Sequence, residues 1–423
     1  MPEPAGEGGA VRRVVVTGIG LVNALGVGRE SFWSSLVGGV SGIGPITRFD
    51  AAGLPVRLAG EVRGLAPADY APRRLLAKSD RFAHHALVAS ELALRDAGLP
   101  EADLDPFRTG ISFGNNSGGW DICERGFDEF YNQGANLVNP WQATAWFPTA
   151  AQGFVSIRYG CRGTSKSFAC DRASGGTALF FALRSIRWGY NDVVLAGGAE
   201  APITRLGVAA HATTGDLSPV ADPERAYLPF DRERRGLVLG EGSAVLVLEE
   251  AEHARRRGAR VYGEIRSVEQ RTGAPGDASS LAGAMTAALA ASGVPPESVD
   301  AVFAEGCGTP QGDRAEAAAI DSVFGAAVPP VTAPKAAFGH LYGASFPTDV
   351  AGALLAIESS LVPPTAGSRD LEPSWAPRLV RRPEPATIDR ALVSCWSREG
   401  TAVSLVATRP PAARLEGVQS NGS

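Results

Sequence analysis

The chain has 423 residues, 44% hydrophobic and 20% charged, with a formal net charge of −5. That length supports a large core in one or two domains, and the slight acidity argues against a general nucleic-acid binder. No apolar run reaches transmembrane length, and MPEPAGEGG at the start has neither a basic n-region nor an apolar h-region, so a cytoplasmic, non-membrane protein is expected.

Residues 1–10 are Gly- and Pro-rich and read as disordered. Val11–Leu25 reads as a β-branched strand and a glycine turn, leading into a helix over Glu30–Val37. A dinucleotide loop does not fit, because GxGxxG is incomplete and no acidic residue follows a second strand. Asp80–Ala97 has helical periodicity, and Thr109–Phe113 reads as a strand. In Gly118–Phe130 the spacing places Trp120, Cys123 and Phe127 on one helical face. Phe168–Gly198 then runs from a short strand through a small-residue turn at Ala173-Ser174-Gly175-Gly176. A helix follows to Trp188, then a break at Gly189 and a buried-type strand, Val193–Ala196. Ala251–Arg257 is a charged helix and a plausible seam. Beyond it come strand Val261–Val268, helix Ser279–Ser292, strand Val299–Ala304, helix Arg314–Phe324 and a last strand Ala402–Ala407. Alternating strands and helices in two similar halves predict a layered α/β fold, ending in a disordered tail from Pro410.

The five cysteines (Cys123, Cys161, Cys170, Cys307, Cys395) are scattered without CxxC spacing, so reduced thiols are expected, with neither a zinc site nor a disulfide framework. His84, His85 and His253 lie in helical patterns and read as structural or solvated.

The turn at Ala173–Gly176 resembles that of the β-ketoacyl synthases of the thiolase superfamily, which place a nucleophilic cysteine directly before it. Pro229-Phe230-Asp231 and Gly240-Glu241-Gly242 match further landmarks of that family, and the likeness spans about Val11–Thr408. It implies the duplicated five-layered αβαβα thiolase fold, with ketosynthase-like halves at 12–255 and 256–408.

The resemblance also implies three catalytic groups, a cysteine and two histidines. Counted back from Gly189 and Gly197-Gly198, the cysteine position holds Arg172, a cation that cannot attack a thioester. The run Glu305-Gly306-Cys307-Gly308-Thr309-Pro310 puts Glu305 where the first histidine belongs, and a carboxylate there would repel a developing anion. The second histidine survives as His340, with its lysine, Lys335. Ser394–Thr401 replaces the glycine-rich gating loop.

This pattern is similar to the chain-length factors, the ketosynthase-β subunits of type II polyketide synthases. Further runs carry the narrower likeness: Asn132–Phe147, Arg225–Glu233, Asp313–Ile320 and Val331–Lys335. It implies a non-catalytic subunit without cofactor. The expected partners are a ketosynthase-α subunit and an acyl carrier protein. Trp120, Cys123 and Phe127 would line the polyketide tunnel; ordinary core packing is the other reading of that stripe. Pro140, Trp141, Trp146 and Phe147 would lie at the subunit interface, together with the strand near Val193. Chain-length factors commonly carry glutamine where Arg172 stands, which puts a decarboxylating role in doubt. Arg172 and Glu305 are expected to face one cavity as a buried ion pair. Aromatic and polyene products both remain open, with the bulk of Trp120 favouring a shorter, polyene-type chain. The alternative is an active β-ketoacyl synthase using Cys170 with His340. Another thiolase-fold acyl transfer is disfavoured, because no partner suited to deprotonating a thiol is in place.

Overall fold

A computed structural model describes residues 11–371, 375 and 378–410. The expected disorder of residues 1–10 and of the tail beyond Pro410 lies outside them.

The first half contributes strands β1 (Val14–Asn23), β2 (Thr109–Gly114), β3 (Lys166–Phe168), β4 (Val193–Glu200) and β5 (Gly242–Glu250). The second contributes β6 (Gly263–Thr272), β7 (Ala301–Phe303), β8 (Val331–Thr332), β9 (Arg390–Trp396) and β10 (Thr401–Thr408). Their order is β3-β2-β4-β5-β1 in one half and β8-β7-β9-β10-β6 in the other, each reading from edge to seam. The pairing senses repeat as well. β2 lies parallel to β3 and β4, as β7 does to β8 and β9, and the two strands nearest the seam are antiparallel in each half. The two half-sheets pair through β1 and β6, at Val15–Glu264 and Val16–Gly263. The topology is a duplicated plan.

The helices that layer the sheet and frame the site are α1 (Arg81–Asp96), α2 (Trp120–Asn132), α3 (Ala150–Tyr159), α4 (Ser174–Arg187), α5 (Arg205–Ala212), α6 (Ala278–Ser292), α7 (Pro310–Phe324) and α8 (Ser345–Ser359); further helices include the expected ones at Arg29–Val37 and Ala251–Arg256. α4 and α8 lie between the two half-sheets and share one core with both. α1 and α3 cover the outer face of the first half-sheet, and α6 and α7 that of the second, each over its own core. The result is five layers, αβαβα. All ten residues of β1 are buried, as its uninterrupted apolar run requires of a strand covered on both faces. Gly18 and Gly20 let α1 approach, since an added Cβ would lie 2.2 and 1.9 Å from the Ala93 and Ala89 carbonyl oxygens.

α4 is buried along most of its length, which explains the run of small and apolar residues from Ser174 to Ala182. Gly175 admits the Gly343 carbonyl, 2.2 Å from where its Cβ would stand. The N-terminus of α4 is thereby wedged against the loop that carries His340.

The sheet corrects one expectation. Val193 opens β4, which is paired on both sides and fully buried, so it cannot meet another subunit. The edge on that side is β3, which pairs with β2 alone. Among the described residues no helix is long and apolar enough to cross a membrane.

Candidate functional site

A tight turn joins β3 to α4. Asp171 adopts φ +51°, a left-handed conformation that costs a non-glycine residue energy. The Ser174 hydroxyl offsets this by donating to the Asp171 carbonyl (2.6 Å) and accepting from the Cys170 N–H (2.8 Å). The strain turns Arg172 inward, where it is 4% exposed just ahead of the α4 N-terminus.

A cation at the positive end of a helix is unfavourable by about 0.3–1 kcal/mol, and burial adds to that. Its counter-charge is not Glu305. Arg172 forms its ion pair with Asp216, on the loop after α5, and makes no contact with Glu305 within 4 Å. The expected Arg172–Glu305 pair is therefore corrected. Burial works against the Arg172 charge, but Cys307, Tyr342, Asp171 and Asp216 nearby hold its pKa above the ordinary value.

Glu305 pairs instead with the retained histidine. His340 Nε2 lies 2.6 Å from Glu305 Oε1, and Nδ1 accepts the Tyr342 backbone N–H at 3.0 Å. An Nδ1 that accepts carries no proton, so the ring is the neutral Nε2–H tautomer and donates to the carboxylate. The electrostatics agree. Burial holds His340 below its ordinary pKa, even against the pull of Glu305. Burial raises the Glu305 carboxyl, but His340, Lys335 and Arg172 outweigh it and leave the group below its ordinary value. The one N–H that His340 could offer to an anion is taken up by a fixed anion.

Lys335 is fully buried. Its Nζ donates to the Ala304 carbonyl (2.9 Å), meets Asp349 Oδ2 at 2.6 Å and lies 4.0 Å from Glu305 Oε2. Burial opposes its charge, yet Asp349 and Glu305 hold the ammonium above its ordinary pKa. The Glu305 backbone is fixed by Glu316, whose two oxygens accept the N–H groups of Glu305 (2.7 Å) and Gly306 (2.8 Å). Arg172, Glu305, His340 and Lys335 thus sit in one buried region, each paired with a fixed neighbour, although Arg172 Nε and Glu305 Oε2 are left without a hydrogen bond. Among the described residues, no group of three or more His, Cys, Asp or Glu could hold a metal ion.

Cys170 is half-buried at the end of β3, and burial raises its thiol pKa against a hydrogen bond with Thr177. Both nitrogens of His340 are engaged elsewhere, so it offers Cys170 no base.

The Trp120–Cys123–Phe127 stripe lies on α2 as the spacing predicts, but it is not core. Trp120 and Cys123 are half-buried, Phe127 is 51% exposed, and the helix buries Ile122 and Gly126 instead. Trp120 donates its indole N–H to Ser117 Oγ (2.7 Å) and packs edge-on against His211, which packs against Tyr342. These side chains line a cleft of about 460 Å³ with Asp171, Arg398 and Glu399. Pro140, Trp141, Trp146 and Phe147 are all exposed beyond α2. Asp216 escaped sequence reasoning, since neither its spacing nor the loop around it signals a role.

Comparison with known proteins agrees with this geometry. Residues 11–254 match the beta-ketoacyl synthase N-terminal domain, and residues 262–369 match the C-terminal domain. The tetracenomycin polyketide synthase ketoacyl synthase beta subunit of Streptomyces glaucescens is 41% identical over 94% of this chain and 98% of its own length. The actinorhodin polyketide putative beta-ketoacyl synthase 2 of Streptomyces coelicolor is 38% identical over 92% and 96%. Among solved structures, the ishigamide ketosynthase/chain length factor superposes with a TM-score of 0.88 at 30% identity, covering 95% of this chain and all of that one. With a family fold along nearly its whole length, and relatives that are ketosynthase β subunits, the chain belongs to the β-ketoacyl synthases, as one of the chain-length factors of type II polyketide synthases.

Proposed function

We propose that this chain is the non-catalytic partner of a ketosynthase-α subunit, and that it shapes the tunnel in which the polyketide grows by decarboxylative Claisen extension on an acyl carrier protein. The observation that carries the reading is the state of the four degenerate positions. Arg172 is ion-paired at the nucleophile position, and Glu305 occupies the hydrogen-bond donor of His340. Such a site has no nucleophile at that position, and the N–H that His340 could offer an oxyanion is already taken. Lys335 serves as a buried counter-charge. The chain is read as two ketosynthase-like halves, residues 12–255 and 256–408, working in the cytoplasm without a cofactor.

The partner surface is the apolar face built by Phe127, Tyr131, Leu137, Trp141, Trp146 and Phe147, all exposed in the single chain. Pro140 lies within it. An exposed aromatic face of this extent marks an interaction site. The edge of β3 adds backbone groups free to pair with another strand, beside the stacked rings of Phe168 and the exposed Phe181. Solved relatives include a type II acyl-carrier protein in complex with its ketosynthase bound to the hexaketide (27% identity, TM-score 0.85), which supports a carrier protein as third partner.

Trp120, Cys123 and Phe127 are the tunnel-lining candidates, and the Ser117 hydrogen bond holds Trp120 in one orientation. The bulk of Trp120 favours a short chain. Replacing it by alanine in the heterodimer should lengthen the product by at least one two-carbon unit. An unchanged product, at unchanged heterodimer yield, would remove Trp120 from the tunnel wall.

A further inference from the structure

The connection between β9 and β10 is a tight hairpin. The Ser397 N–H donates to the Thr401 carbonyl (2.8 Å), the Gly400 N–H to the Ser397 carbonyl (3.2 Å), and the Thr401 N–H to Ser397 Oγ (3.2 Å). Gly400 has φ +91°, and a Cβ there would lie 2.3 Å from the Gly273 carbonyl oxygen, so the turn is seated against its neighbour. Ser397 and Gly400 are buried, and only Arg398 and Glu399 face solvent.

Arg398 is tied down at three points. Its backbone N–H donates to Asp171 Oδ2 (3.1 Å), its Nη1 donates to the Thr214 carbonyl (2.7 Å), and its guanidinium lies 3.4 Å from Asp216 Oδ2. Asp216 is the same carboxylate that neutralises Arg172. Two arginines, one buried and one exposed, therefore share a single acid. Asp171, the strained residue that aims Arg172 inward, is held by the same hairpin. Arg398, Asp171 and Thr214 line one cleft with Tyr342 and His211.

We propose that Arg398 is a latch that seals the nucleophile position of this subunit against a carrier-borne acyl chain. The latch works with Asp216 as its shared anchor, and confines thioester loading to the partner subunit. Loss of the nucleophile alone would leave an open pocket able to take up an acyl chain unproductively. The Arg398–Asp216–Arg172 array fills that entry with fixed charge, which an apolar chain enters only with a large desolvation penalty. The proposal goes beyond the subunit's role in the tunnel, and its test does not depend on that role.

A probe thiol at the sealed position reports on the latch directly. In the heterodimer with its ketosynthase-α, the Arg172→Cys variant keeps Asp216 paired with Arg398. Its new thiol should react with iodoacetamide at least tenfold more slowly than the same thiol in Arg172→Cys/Arg398→Ala, as read by peptide mass spectrometry. Equal rates would overturn the proposal. A second measurement leaves Arg172 in place. Amide hydrogen exchange over Ser397–Thr401 should accelerate at least fivefold in Arg398→Ala relative to the unaltered heterodimer, and unchanged exchange would equally overturn it.

Discussion

Replacing Asp216 by alanine isolates the energetics of the dead site. Arg172 is 4% exposed and already has an unpaired Nε, and among the described residues Asp216 is its only ion-pair partner within 4 Å. Breaking a buried pair on one side costs about 3–5 kcal/mol, because the remaining charge cannot leave. The 19% exposure of Asp216 lets some water reach the guanidinium, which puts the expected loss near the lower end, about 3 kcal/mol. Arg398, 3.4 Å from the same carboxylate, would then face Arg172 without a counter-charge and gives no relief. For 423 residues the entropy of unfolding is about 0.9 kcal/mol/K, so the melting temperature should fall by about 3 °C. Differential scanning calorimetry of the purified heterodimer checks this. The Arg172→Gln/Asp216→Ala double variant is the decisive comparison, since removing both charges should restore most of the loss. An Asp216→Ala protein as stable as its parent, or a double variant no better than the single, would refute the buried pair.

Other outcomes follow from the same geometry. Burial holds His340 below its ordinary pKa, so the unfolded chain binds a proton there that the folded chain refuses. Its contribution to stability is therefore whole above about pH 6.5 and is lost as pH falls below that value. Urea unfolding at pH 7 and pH 5.5 should show a smaller acid loss in His340→Gln than in the parent, and an equal loss would contradict the neutral ring. Lys335→Met strands the buried Asp349 and Glu305 carboxylates and should cost about 3–5 kcal/mol in the same assay. Trp146→Asp places a charge on the exposed aromatic face, so co-purification with the ketosynthase-α should drop at least tenfold, while circular dichroism of the chain stays unchanged.

The fold was legible wherever burial wrote itself into composition. The apolar run of β1, the small residues at the start of α4 and the periodicity of α1 all lie where the pattern put them. α7 starts at Pro310, four residues before the expected Arg314. Thr309 caps it by accepting from the Gly312 N–H, and Pro310 is the first helical residue, a start signal present in the sequence. The interface strand was misplaced because family position outweighed composition. VVLA in β4 is apolar at every position, as a strand covered on both sides must be, whereas the edge strand β3 carries Lys166.

At the site, Arg172, Glu305, His340 and Lys335 were found by motif, and they do share one buried region. Their pairing was not legible. Asp216 reaches Arg172 from a loop 44 residues away, and no spacing rule links an irregular loop to a turn. The choice of His340 by Glu305 depends on the Tyr342 N–H fixing the tautomer, a backbone detail without a sequence signature.

The most direct test of the central claim is acyl-adduct mapping by mass spectrometry, on the heterodimer incubated with its acyl-carrier substrate. The account predicts the adduct on the ketosynthase-α cysteine alone, with Cys170 and every other cysteine of this chain unmodified. An adduct on Cys170, formed as fast as on the partner, would contradict it and make this chain an active synthase.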